Sequence, residues 1–186
     1  MSGRERYVTE LKKFIDVHIY GGCGPYTCTR KNEPACRLMV EQKYRFYLSF
    51  ENSLCDDYVT EKFFRMMHFT VLPVTYGGTD LDKYGAPPHS HIDAMKFGSP
   101  ELLAKHLKDL QEDDAKYAEY FWWKDFYEVR DGVENRAQPY CDLCKRLHDP
   151  YEPPKVYEDM HKWWITDSHC KKLKTVNPLT LEPDHK

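Results

Sequence analysis

Two neighbouring side chains of opposite charge, Glu61 and Lys62, could do chemistry together: the carboxylate could hold a sugar diol and the ammonium a phosphate. Whether they do so depends on where the chain puts them. Residues 45–50 are mostly aromatic and apolar, the composition of a strand. Glu51, Asn52 and Ser53 interrupt that run with turn-prone polar groups. Asp56 and Asp57 stand where a helix N-cap belongs, and Val59, Phe63, Met66 and Met67 then recur at helical spacing. Residues 44–64 therefore read as strand, polar loop and helix start. Free backbone N–H groups and the positive end of the helix dipole favour phosphate at such a start. The carboxyl end of a strand is also where α/β folds keep their ligands. The competing reading is an amphipathic helix whose Glu and Lys are simply solvated.

The elements around this stretch can be read in order. Residues 4–13 look helical, with Tyr7, Val8 and Leu11 on one face. Residues 15–20 alternate toward a strand that Gly21 and Gly22 end. Residues 21–36 form a loop rich in Gly, Pro and Cys. Its cysteines, separated by four and seven residues, match no standard zinc spacing, so it is disulfide-stapled or merely long. Residues 36–44 read as a short bridge into the central strand. Residues 70–76 form a short apolar strand, placed at an edge or irregular because it contains Pro73. Gly77 and Gly78 follow, either to let a ligand approach or as a plain turn. Asp80-Leu81-Asp82 has the spacing of an acidic metal motif but reads as surface loop, and His89 and His91 read as loop histidines before a metal pair. Ser99 caps a helix over residues 100–111, with Pro100 at its first position. The aromatics of residues 112–130 read as a helix packed on the sheet before a sugar-stacking platform. Residues 155–165 could make a last short helix, and the final twenty residues look loose.

Composition narrows the class. A chain of 186 residues can build one domain with a sizeable core. A formal charge of −3 excludes a strongly basic nucleic-acid binder. No stretch approaches the ~20 apolar residues of a membrane span, and the first residues, MSGRERYVTE, have no signal-peptide pattern. The seven cysteines are an odd number, so at least one lacks a partner within the chain. Disulfides would fit a secretory lumen, whereas no N-x-S/T sequon supports that compartment.

The run FENSLCDDYVTEKFF closely resembles the nucleotide-sugar signature of the α-1,3-fucosyltransferases, glycosyltransferase family 10. The similarity continues through LPVTYGG, APPHSHID, FGSPELLAKHLKDL and YAEYFWWK, covering about residues 1–130 and, less closely, the cysteine-bearing tail. The resemblance implies an α/β fold: the Rossmann-like, GDP-fucose-binding C-terminal half of a GT-B glycosyltransferase, with the N-terminal acceptor domain missing from this chain. Residues 1–130 would be that domain and residues 131–186 a cysteine-containing tail. The implied reaction moves L-fucose from GDP-β-L-fucose to a glycan in α-1,3 linkage with inversion, the acceptor being N-acetylglucosamine of N-glycans. Full-length relatives are membrane-anchored, which implies the lumenal side of the Golgi membrane. One departure is Ser90-His91-Ile92, where the family usually has Ser-Tyr-Ile.

Residue by residue, the resemblance puts Lys62 and Arg4 on the diphosphate as the catalytic cations. Arg4 lies seven residues before Leu11, as does the family's pyrophosphate-binding arginine. It puts Glu61 on the ribose hydroxyls, Asn52 and Tyr58 along the nucleotide and phosphate, and Gly78 near the donor. Cations there grip the departing diphosphate more strongly than the intact donor, which lowers the barrier. Losing one such group typically costs about 3 kcal/mol in the transition state, so Lys62→Ala is expected to cripple turnover. The base that deprotonates the acceptor comes from the other domain in the family. This chain is therefore expected to bind GDP or GDP-fucose weakly and to transfer little alone. No cofactor is required, although a divalent cation such as Mn could assist the diphosphate. The resemblance reads Cys141-Asp-Leu-Cys144 as disulfide-forming; zinc, with later ligands among His148, His161, His169 and Cys170, ranks second and redox chemistry third. Two other functions stay open: a GDP-sugar-binding module without catalysis, and a zinc-stabilised interaction domain.

Overall fold

The computed structural model describes residues 2–28, 33–130 and 137–171. Three strands, β1 (Phe46–Phe50), β2 (Leu72–Tyr76) and β3 (Ile92–Asp93), form a parallel sheet in that order. The register runs from Phe46 opposite Leu72 to Phe50 opposite Tyr76, and β3 pairs with Val74 and Thr75. All five residues of β2 are buried, the pattern of a strand covered on both faces.

Strand residues alternate between faces. Phe50, Leu72, Val74 and Tyr76 join Tyr7 and Leu11 of helix α1 (Arg4–Leu11) in the main core. Leu103, Leu107 and Leu110 of helix α4 (Pro100–Glu112) complete it. Tyr7 meets Phe50 edge-on at 5.6 Å, and Phe50 lies 5.1 Å from Tyr76. The other face of the sheet carries helix α3 (Glu61–Met67), where Ser49 Oγ donates to the Lys62 carbonyl at 3.0 Å. Phe63 and Met67 of α3 pack in a second cluster with Leu81, Ala86 and Trp123. The result is a mixed α/β arrangement of three layers.

The cap expected for α4 is present: Ser99 Oγ accepts the Leu102 N–H at 3.2 Å. Several other expectations are corrected. Pro73 lies in the middle strand, not at an edge; β3 reaches only Val74 and Thr75, so Pro73 has no partner on that side. Residues 15–20 form no strand, because none of the described strands lies alongside them and only a single bridge joins Tyr20 to Tyr26. Residues 36–44 are not a short bridge: helix α2 spans Glu33–Lys43. Strong helix formers after Pro34 carried that signal, and it was legible. The loop before α2 is the stapled alternative, closed by Cys28–Cys36.

The aromatic region divides. Helix α5 (Asp114–Glu119) and the 3₁₀ turn Trp122–Asp125 bury Tyr120 and Trp123 but leave Trp122, Phe126 and Tyr127 exposed. In the tail, helix α6 (Gln138–Leu147) carries Cys141 and Cys144 as exposed free thiols, so the expected CxxC disulfide is not formed. Among the described residues, no three His, Cys, Asp or Glu side chains gather to hold a metal. The last short helix is present as the π-helical segment Lys162–Thr166, starting later than expected. The chain from residue 172 lies outside the described residues, as do residues 131–136.

Candidate functional site

The loops that follow β1, β2 and β3 meet over the carboxyl ends of the three strands. Glu51, the first residue past β1, is buried there at 6% exposure, far below what a solvated carboxylate keeps. Its oxygens accept the Thr60 N–H at 2.8 Å, the Thr60 hydroxyl at 2.8 and 2.9 Å, and the Lys62 ammonium at 3.2 Å. Lys62 also donates to Thr60 Oγ1 at 2.7 Å. Glu51, Thr60 and Lys62 thus form one hydrogen-bonded triangle.

That triangle, not an aspartate cap, starts α3. Thr60 is the N-cap, in extended backbone, and Glu51 takes up its N–H. Asp57 lies three residues earlier in the left-handed region, at φ 61°, which aspartate tolerates better than most residues. A helix of seven residues has a modest dipole, so positive charge at its start comes chiefly from Lys62. Glu61, half exposed, has Oε1 3.8 Å from the Lys62 ammonium. Partial burial pushes the Glu61 pKa up, but its own backbone N–H, Lys62, Arg65 and Thr60 together hold it below the ordinary carboxylate value. It is an anion and hydrogen-bond acceptor at neutral pH.

Two hollows flank the triangle. One, of about 370 Å³, is walled by Glu51, Tyr58, Gly78, Asp80, Asp93 and Lys171, among others. The other, of about 210 Å³, is walled by Tyr20, Arg37, Tyr47, Glu61, Lys62 and Arg65, among others. Glu51 faces the first and Lys62 the second, so their ion pair forms part of the partition.

The residues singled out in the sequence are therefore distributed. Glu61 and Lys62 border the smaller hollow, Tyr58 and Gly78 the larger. Arg4 borders neither; its Nη1 donates to the carbonyl of Phe50 at 2.8 Å and its Nε pairs with Glu5. That guanidinium rests on the residue preceding Glu51, at the same end of β1. Asn52 is exposed, and its carbonyl accepts the Ser2 N–H at 2.9 Å.

Gly78 has a packing reason to be glycine. A Cβ there would lie 2.6 Å from the Cys55 carbonyl oxygen and 2.7 Å from the Leu54 carbonyl carbon. The loop after β2 presses against the loop after β1, and Thr79 Oγ1 donates to that same Cys55 carbonyl at 3.3 Å. Gly78→Ala should destabilise the protein by about 1–3 kcal/mol through overpacking. Urea unfolding with an unchanged midpoint would show that residues 54–55 yield freely.

His91 faces the larger hollow, and its Nδ1 is buried with no partner among the described residues. Burial pushes its pKa below 6.5, against the opposing pull of Asp93. Burial raises the Asp93 carboxyl in turn, while the Met95 N–H opposes that rise. Because the folded His91 value lies below the unfolded one, its contribution is full above about pH 6.5 and is lost as pH falls through the folded value. NMR titration should find the His91 midpoint below 6.5, and His91→Gln should flatten that part of the stability profile.

Sequence reasoning missed Glu51 and the partner of its loop. Cys55 is disulfide-bonded to Cys170, 115 residues later. An acid directly after an aromatic strand was the available hint of Glu51; nothing local announced the disulfide.

A small parallel sheet covered on both faces, with a polar crevice over its carboxyl ends, is the arrangement of a Rossmann-like domain. Residues 1–163 match glycosyltransferase family 10 (fucosyltransferase), C-terminal part, and the chain belongs to that family. It is 46% identical over 167 residues to Alpha-(1,3)-fucosyltransferase C of Drosophila melanogaster, covering 89% of this chain and 38% of that protein. It is 39% identical over 173 residues to Glycoprotein 3-alpha-L-fucosyltransferase A of the same organism, covering 91% and 33%. With GDP-fucose protein O-fucosyltransferase 3 of Canis lupus familiaris it shares 35% identity over 130 residues, covering 66% and 27%. The chain thus spans between about a quarter and two fifths of the length of these relatives. Among the described residues no helix is long and apolar enough to cross a membrane.

Proposed function

We propose that this chain is the donor-binding half of an inverting α-1,3-fucosyltransferase of GT-B architecture that uses GDP-β-L-fucose. The observation that carries this is the Glu51–Thr60–Lys62 triangle, which fixes an ammonium between two hollows in a chain of family 10. A nucleotide sugar is long enough to occupy both. Its diphosphate crosses the partition beside Lys62, with Arg4 at the same strand end and the sugar-side phosphate entering the larger hollow, and its ribose diol meets the ionised Glu61. The nucleoside takes the side of Tyr20, Tyr47 and Arg65. The fucose takes the larger hollow, beside Tyr58 and Gly78, where Asp80, Asp93 and Glu51 suit sugar hydroxyls. Asn52, exposed on the loop after β1, is the proposed further contact to the nucleotide.

Breaking the sugar–phosphate bond leaves positive charge on the sugar ring and negative charge on the diphosphate. The carboxylates of the larger hollow favour the first and Lys62 the second. The acceptor base belongs to the acceptor-binding domain, so the reading makes the isolated chain a binder and a poor catalyst. N-acetylglucosamine of N-glycans is the proposed acceptor. The lumen of the Golgi, with a membrane anchor elsewhere in the full protein, is the proposed place; two disulfides suit such an oxidising compartment. Mn would ride on the nucleotide.

Calorimetric titration of the 186-residue chain with GDP, UDP and ADP, with and without Mn, tests this. GDP should bind in preference to the others, and GDP-fucose should yield no transfer to a glycan above background. Absence of GDP binding sinks the donor site, and robust transfer by this chain sinks the half-enzyme reading.

A further inference from the structure

Residues 168–171 run back across the loop that carries the signature. The Asp56 N–H donates to the Ser168 carbonyl at 2.8 Å, and the Lys171 N–H donates to the Leu54 carbonyl at 2.9 Å. His169 Nδ1 lies 3.0 Å from Asp56 Oδ2, and Cys170 is bonded to Cys55. Every residue of this strap is therefore tied to residues 54–56. Gly78 and Thr79 press on the same segment. Both segments thus hold the loop, and Lys171 of the strap borders the 370 Å³ hollow.

Two ammoniums border that hollow, and their places in the chain tell them apart. Its walls carry the carboxylates Glu51, Asp80, Asp82 and Asp93 against the ammoniums of Lys96 and Lys171. Lys62 is held by Glu51, and Arg4, which donates to the Phe50 carbonyl and pairs with Glu5, borders neither hollow. Among the described residues, neither Lys96 nor Lys171 makes an ion pair, although both share a wall with four carboxylates. A diphosphate carries more negative charge than one half-compensated lysine can meet. Lys96 follows β3, whereas Lys171 adjoins the loop leading to Tyr58 and Lys62.

We propose that Lys171 is a ligand-binding residue of the donor site, gripping the diphosphate, and that the Cys55–Cys170 bond is the device that puts it there. The inference rests on the donor-site reading above. An untethered segment would pay the entropy of ordering each time it closed on the ligand; the covalent tie removes most of that cost in advance. Lys171 itself acts by contact and Cys170 by positioning.

The test is a double-mutant cycle on the full chain: wild type, Lys171→Ala, Cys170→Ser and both together, each titrated with GDP and with guanosine. Lys171→Ala should weaken GDP about tenfold or more, as loss of a charge-assisted contact does, and leave guanosine unchanged. Lys171→Arg should restore most of the affinity, and the alanine variant should show a shallower salt dependence. Cys170→Ser should lose a similar factor, and the double variant little beyond either single one. Lys171 is exposed, so its variants report even if Cys170→Ser fails to fold. GDP affinity unchanged by Lys171→Ala overturns the proposal while leaving the donor site standing. Equal losses for GDP and guanosine make the residue merely structural and overturn it too. Full additivity of the two substitutions removes the positioning role. A wild-type chain that binds no GDP ends both this inference and the functional reading beneath it.

Discussion

Glu51→Ala should cost about 3–5 kcal/mol of stability, because it breaks a buried ion pair from one side. The carboxylate is 8% exposed and the Lys62 side chain 22%, so solvent does little to screen the pair. Removing Glu51 strands the Thr60 N–H, loosens the Thr60 hydroxyl and leaves the Lys62 ammonium beside an empty volume. The start of α3 then has no acceptor, since Thr60 makes no side-chain cap of its own. Glu51→Gln keeps an oxygen in place for Thr60 and should cost much less, about 1 kcal/mol. Urea unfolding of the three proteins measures both values. An alanine variant within about 0.5 kcal/mol of wild type, the range of ordinary surface changes, would mean that Glu51 pins nothing.

Lys62→Ala should weaken GDP binding by about a hundredfold or more. Truncating one partner of a hydrogen-bonded charge pair at a binding site typically costs 2–5 kcal/mol, roughly 30- to several-thousand-fold. Two effects add here. The variant removes a cation from the diphosphate, and it uncovers the Glu51 carboxylate, 3.2 Å from the lost ammonium, as a new repulsive charge. The second effect has its own signature: Glu51→Gln in the Lys62→Ala background should recover part of the affinity. Calorimetry on wild type, both single variants and the double variant separates the two contributions. Unchanged GDP affinity in Lys62→Ala would falsify the assignment of this lysine to the diphosphate.

The site and its supports were legible to different degrees. Strands 46–50 and 72–76, the first helix and the Ser99 cap followed from composition and spacing, because each signal lies within one short window. The signature 50–64 announced the family and named Glu61 and Lys62, which do border one hollow. Helix α2 was equally local and was misread, its helix formers hidden by the adjoining cysteine-rich loop.

Other features have no local trace. Residues 15–20 alternate like a strand, yet a strand exists only where another lies beside it. Asp56 and Asp57 are good N-caps by type, but Glu51, nine residues before Thr60, takes the helix start instead. Its burial depends on how three loops close over the sheet ends. Glycine at position 78 is explained by a peptide from another loop, within 2.6 Å of where a Cβ would stand. Cys55 could have joined any of six other cysteines, and chain separation carries no information about which. Residue types and short-range periodicity dictated the elements and the chemistry on offer. Long-range closure chose which carboxylate binds the lysine, which cysteines join, and that the offered residues stand around two hollows, because burial and pairing are properties of neighbours in space.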